Sequence, residues 1–309
     1  MISQRLIAKL EDHRNSLLKE LQECESELLE ARGEDAGRNL VVPASEAIRD
    51  IPPLRWLVPG LIPAVGWGLL SSVPYVGKSL LSAFMAGSIS SGRPMFGGFK
   101  PVAPVPVLYV YLESSKAEFL WVVRKTLESR GIDGKNLYVR AQHTRASEFK
   151  IGSQNLEAAI RGSGAKFVVI DTLAFGSAAG SEKNEDLQAK VVEPMVELSD
   201  RYQCFILALH HAQKATMDVD PVYQHRGGSV LSGAADTLYR LVRVKGEPHD
   251  SKLRQLHIDK VRGSVSGEMV LEYDFDRRVA FAQGQDIREV LWTPDRYEKF
   301  KATHWEGEA

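Results

Sequence analysis

Trp67-Gly-Leu-Leu-Ser71 runs directly into Ser72-Val73-Pro74-Tyr75-Val76-Gly77-Lys78-Ser79-Leu80. The short apolar run reads as a buried strand, and residues 78–91 read as the helix that follows it. A loop that joins a strand to a helix N-terminus through Gly-Lys-Ser can turn consecutive backbone N–H groups toward a phosphate, with the helix dipole adding to the attraction. Gly77 lets the backbone approach closely, Lys78 reaches the terminal phosphates, and the Ser79 hydroxyl is placed to ligate Mg²⁺. Two positions depart from the usual pattern. Ser72 stands where a first glycine is common, and Tyr75 stands where a small residue is common.

Working outward, apolar runs and amphipathic stretches alternate. Strands are expected at 107–112, 137–140, 167–170 and 205–209, and helices at 115–130, 153–162 and 185–202. Short buried strands between helices imply parallel βαβ units. Beyond about residue 236 the helices stop, and 238–244, 253–261, 268–275 and 279–282 read as successive strands, an antiparallel extension of the same sheet.

Two of the parallel strands end in a carboxylate, where ligands of open α/β sheets bind. Lys166-Phe-Val-Val-Ile170 leads to Asp171, placed to face a magnesium ion, and Val107-Leu-Tyr-Val-Tyr-Leu112 leads to Glu113, placed to orient and deprotonate an attacking water. A third strand runs into His210-His211-Ala-Gln213-Lys214. Neighbouring residues on a strand face opposite sides, so the two histidines cannot share one metal. One is expected to sense phosphate while the other packs; His211 is favoured for the first role, with His210 as the alternative. Together these residues predict an ATP site using Mg²⁺.

Upstream, residues 1–33 carry Ile7, Leu10, Leu17, Leu21, Cys24 and Leu28 at the a and d positions of one heptad register, interrupted by Arg14. This stripe predicts an N-terminal coiled-coil helix offering a surface to a protein partner or to itself. A linker at 34–55, an ATPase domain at 56–283 and a polar tail at 284–309 complete the expected organisation. The 309 residues are 44% hydrophobic and 26% charged, ordinary for a globular chain. A net charge of −1 excludes a global basic field, so any nucleic acid must be held by local loops or by several subunits together. Two distant cysteines, Cys24 and Cys204, and the lack of an apolar leader or a spanning run point to a reducing cytoplasm and no membrane.

In the order of these blocks the sequence resembles the RepA-like replicative helicases of plasmids and phages, within the RecA-like ATPases. The resemblance runs from about residue 56 to about 267. It rests on Trp56-Leu-Val-Pro-Gly60-Leu-Ile-Pro63, the phosphate loop, Gly92-Arg-Pro-Met-Phe-Gly97, the Glu113 strand with Arg124, Asp171 with Asn184, the His210-His211 segment, Arg226-Gly-Gly-Ser229 and Lys260-Val-Arg262. It implies a RecA-like core, a homo-oligomeric ring (commonly a hexamer), ATP held between subunits, and single-stranded DNA in the channel. It also implies that Arg226 is an arginine finger, and that Lys260 and Arg262 project toward a neighbour's γ-phosphate. The channel would be lined by 172–183 and 213–225. Neither segment is strongly basic or aromatic, so DNA is implied by the resemblance more than by composition.

Overall fold

Alternation within each strand divides its residues between two faces, and the computed structural model shows both faces covered. It describes residues 43–49, 54–113, 116–140, 145–177, 184–211, 228–286 and 289–290, with eight positions between 13 and 24. The chain forms two units, Met1–Pro53 and Leu54–Ala309.

In the first unit the eight described positions between 13 and 24 are helical and exposed, Leu17 and Cys24 of the apolar stripe among them. Ile7, Leu10, Leu21 and Leu28 lie outside the described residues. Within the expected linker, Ala44–Ala47 makes one exposed helical turn.

The second unit opens with a small antiparallel pair, β1 (Trp56–Val58) and β2 (Ile62–Pro63). Its main sheet contains β3 (Gly66–Ser72), β4 (Val107–Tyr111), β5 (Leu137–Val139), β6 (Phe167–Asp171), β7 (Phe205–His211), β8 (Thr237–Arg243), β9 (Leu253–Val261), β10 (Gly267–Asp274) and β11 (Val279–Ala282), in the order β11-β10-β9-β8-β3-β7-β6-β4-β5. From β8 through β5 every pairing is parallel, whereas β9, β10 and β11 return antiparallel. The expected α/β core with a parallel centre and antiparallel C-terminal strands is therefore present.

One face buries Val107 and Tyr109 of β4, Phe167 and Val169 of β6, and Phe205 and Leu207 of β7. Against them pack α1 (Lys78–Ser91), through Leu81, Phe84 and Ile89, and α2 (Lys116–Arg130), through Phe119 and Val123. The intervening residues, Leu108, Val110, Val168, Ile170 and Ile206, bury the other face under α3 (Gln154–Ser163), α4 (Glu193–Tyr202) and α5 (Gly228–Ala234). Strands buried on both faces must be apolar throughout, which is why they appear as unbroken hydrophobic runs.

Helix ends follow local chemistry. Ser153 caps α3 by accepting the Leu156 N–H, and Gly92 closes α1 in the left-handed conformation. A π-helical segment, Gln188–Val192, leads into α4. Arg130, wholly buried, donates to the carbonyls of Phe84, Pro94 and Val290, so the first part of the expected tail joins this domain's interior. No described helix is long and apolar enough to cross a membrane.

Candidate nucleotide site

Parallel pairing brings the carboxyl ends of β3, β7, β6 and β4 to one edge: Ser72 stands opposite His211, and Tyr111 opposite Asp171. β7 lies between β3 and β6, so the histidine strand separates the strand that feeds the phosphate loop from the strand that ends in Asp171. The loop turns at Gly77 (φ +103°), where an added Cβ would sit 2.5 Å from the Tyr273 ring. No side chain fits there, and α1 begins at the next residue.

Lys78 is buried and its ammonium folds back over the loop. Nζ donates to Ser72 Oγ (3.0 Å) and to the Ser72 carbonyl (3.3 Å), and lies 3.4 Å from His211 Nδ1. An ammonium only donates, so a hydrogen bond at this contact requires Nδ1 to accept, which places the proton of a neutral imidazole on Nε2. Nε2 in turn lies 3.4 Å from Glu113 Oε1. Burial pulls the Lys78 pKa down, opposed by the charges of Asp171 and Glu113. His210 faces away and is buried, as alternation requires.

Asp171 is the centre of a second network. Tyr109 donates its hydroxyl to Oδ2 (2.9 Å) and shares a 2.7 Å bond with Ser82 of α1. Oδ1 is buried with no hydrogen bond of standard length. Burial pushes the carboxyl up to about 6, against the pull of Ser79 and Tyr109, with Glu113 adding to the rise and Lys78 opposing it. A buried, underused carboxylate oxygen beside a serine at a helix N-terminus suits Mg²⁺, which takes one or two protein oxygens and completes its shell with phosphate and water. No cluster of three or more metal-ligating side chains occurs among the described residues. That donor set fits a metal arriving with a nucleotide.

The carboxyl is a burden on the metal-free fold. Its folded pKa of about 6 exceeds the ordinary 3.8, so between those values the folded chain binds more protons, and stability falls as pH rises. Above about pH 6 the penalty is fully present. Asp171→Asn is therefore expected to stabilise the metal-free protein at neutral pH by about 3 kcal/mol, and to flatten its stability profile between about pH 4 and 6, while turnover is lost. Thermal melts across pH check this; an unchanged profile would count against it.

Lys260 and Arg262 lie elsewhere. Val261 pairs with Thr237, which stands opposite Gly68 at the start of β3, whereas Lys78 follows the end of that strand. Four strand residues, roughly 13 Å at about 3.3 Å each, separate the two levels. Lys260 donates to the carbonyls of Ser232 (3.3 Å) and Gly233 (3.0 Å) in the last turn of α5, and Arg262 pairs with Asp236 (3.2 Å). Neither reaches the phosphate loop of its own chain. Arg226 and the segments 178–183 and 212–227 lie outside the described residues, as does the Asn184 side chain. Arg124 pairs with Glu128 on α2.

Sequence reasoning missed Tyr109 and Ser82. Within an apolar strand, Tyr109 looks like a core aromatic, and only the packing of α1 shows its hydroxyl on Asp171.

A phosphate loop on this strand order makes the chain a P-loop NTPase with a RecA-like core. More particularly, it belongs to the AAA domain family, whose model matches residues 34–217. No curated protein matches it significantly. Among solved structures, one described as an ATPase domain is similar at a TM-score of 0.54 and 14% identity, over 71% of this chain and 84% of that one. A DnaB-like replicative helicase, described with its interactions with primase, is similar at 0.56 and 15%, over 90% of this chain and 74% of that one.

Proposed function

We propose that this chain is an ATP-driven DNA motor: a ring-forming helicase or translocase of the RepA-like type, acting in plasmid or phage replication in the cytoplasm. The observation that carries the reading is the set Lys78, His211, Glu113 and Asp171, gathered at one sheet edge of a fold shared with a DnaB-like replicative helicase.

On this reading Lys78 exchanges its bonds to Ser72 for the phosphates of ATP. Glu113, held by the Nε2 side of His211, accepts a proton from the attacking water. His211 touches both and links the state of the phosphate end to the position of Glu113. Ser79 and Asp171 hold Mg²⁺, which neutralises charge on the phosphate oxygens when bound. Lys260, Arg262 and the arginine finger Arg226 serve a neighbouring copy's site. The location of the Lys260–Arg262 pair at the far end of β3 supports that part of the reading. The N-terminal helix is the candidate surface for a protein partner.

Steady-state ATP hydrolysis, with and without single-stranded DNA at low and high salt, tests the proposal. Several-fold stimulation by DNA that weakens as salt rises is expected, because phosphate contacts release counterions. Slow turnover indifferent to DNA would overturn the motor. It would favour a second reading, a RecA-like switch that binds ATP to load or regulate partners, consistent with Ser72 holding Lys78 and with the bulky Tyr75 in the loop.

A further inference from the structure

Tyr75 is an anomaly in the phosphate loop. Its backbone lies in the left-handed region (φ +63°), which side-chain-bearing residues avoid, and its ring is 94% exposed, so packing of the ring does not hold it there. What meets the loop from outside is the antiparallel part of the sheet. Arg254, near the start of β9, donates Nε to the Val76 carbonyl at 2.9 Å. Arg243, at the end of β8, donates Nη2 to the Tyr75 carbonyl at 3.4 Å. Tyr273 of β10 places its hydroxyl 3.4 Å from the Gly77 carbonyl, with its ring under Gly77. Three consecutive carbonyls are thus engaged by donors from three consecutive strands.

The two arginines are costly to keep. They stand directly opposite each other in the β8–β9 register, where like charges repel. Arg254 is buried, its guanidinium lying over the rings of Tyr273 (5.6 Å) and Phe275 (5.7 Å), and it also donates to the carbonyls of Ser251 and Leu253. Arg243 is anchored by a second bond, to the His249 carbonyl at 2.7 Å. Both are pinned independently of the loop, so they meet it as fixed points.

We infer that Arg254 and Arg243 are positioning residues of the nucleotide site: by drawing the Tyr75 and Val76 carbonyls outward, beside a Gly77 carbonyl already fixed by the Leu81 N–H, they keep the N–H groups of the loop turned toward the phosphates, and so let the loop work with tyrosine in a left-handed position. A peptide plane is rigid, so fixing its carbonyl on one side fixes the N–H of the next residue on the other. A phosphate-binding loop depends on that orientation before the ligand arrives. The inference rests on the nucleotide-site reading but not on DNA or unwinding.

The test measures binding of a fluorescent ATP analogue, and KM and kcat for ATP, in the full chain without DNA. Arg254→Met keeps the apolar stem between Tyr273 and Phe275 but removes the donor; Arg243→Ala removes the half-exposed partner and keeps the test open should Arg254→Met fail to fold. Each is expected to weaken analogue binding and raise KM about tenfold, with kcat within about twofold, because ordering the loop becomes part of binding. Arg254→Lys should recover part of the loss. Glycine tolerates the left-handed region, so in a Tyr75→Gly background the Arg243→Ala penalty is expected to shrink to about twofold or less. If the wild-type chain binds the analogue and the folded variants bind it equally well, or if the penalty is the same with Gly or Tyr at position 75, the positioning role is overturned. A wild-type chain that binds no analogue would overturn the nucleotide site itself and this inference with it.

Discussion

Lys78→Ala is expected to lower ATP hydrolysis by at least about 100-fold, the scale on which losing one preorganised electrostatic contact to developing charge is felt. Lys78 is the buried cation at the head of α1, and it lies between the Ser72 oxygens and His211 Nδ1. An alanine leaves the backbone of the loop and its outer supports in place, so the variant should still fold, yet the terminal phosphates would meet no ammonium. It would also remove the contact between the ammonium and His211 Nδ1. Because burial already works against the charged lysine, its removal should cost the metal-free protein little stability. Steady-state turnover beside a thermal melt separates the two effects. Undiminished turnover in a folded variant would remove the loop from the chemistry altogether.

Glu113→Gln should stop hydrolysis without preventing binding. A positioned general base is worth about 10²–10⁴ in rate, and glutamine has the same shape but no comparable basicity. Glu113 lies one residue beyond Leu112, past the end of β4, and touches His211 through its Nε2 side, away from the bonds of Lys78 with Ser72. The amide can still accept from Nε2, so the histidine keeps its tautomer and the loop its form. Nucleotide affinity within about threefold of the wild type, with turnover lost, is the expected pattern in a binding titration and a single-turnover assay. Loss of binding would make Glu113 a structural prop of the loop.

Much of the framework was legible because burial on two faces leaves a plain trace. β4, β6 and β7 are apolar at every position up to their ends, and no polar residue blurs their limits before Asp171 or His210. The helix from Lys78 to Ser91 and the strands Leu253–Val261 and Val279–Ala282 fall where the pattern put them. Strand order left no such trace. Nothing in the chain announces that β7 inserts between β3 and β6, although this is what sets His211 between Lys78 and Glu113. The same holds for contacts that depend on the return of the antiparallel strands. Arg254 and Tyr273 are 178 and 196 residues from the carbonyls they meet, a separation no local pattern encodes. For Arg226 the family resemblance is the sole support, since its segment lies outside the described residues.

The placement of Lys260 and Arg262 has a kinetic consequence. Both sit at the end of the sheet remote from the phosphate loop of their own chain. On the ring reading, the nucleotide they serve is bound by another copy, and the unit that turns over is a contact between chains, not a chain. Specific activity would then climb with enzyme concentration until that contact saturates, and a diluted sample would lose rate while every molecule in it stayed folded.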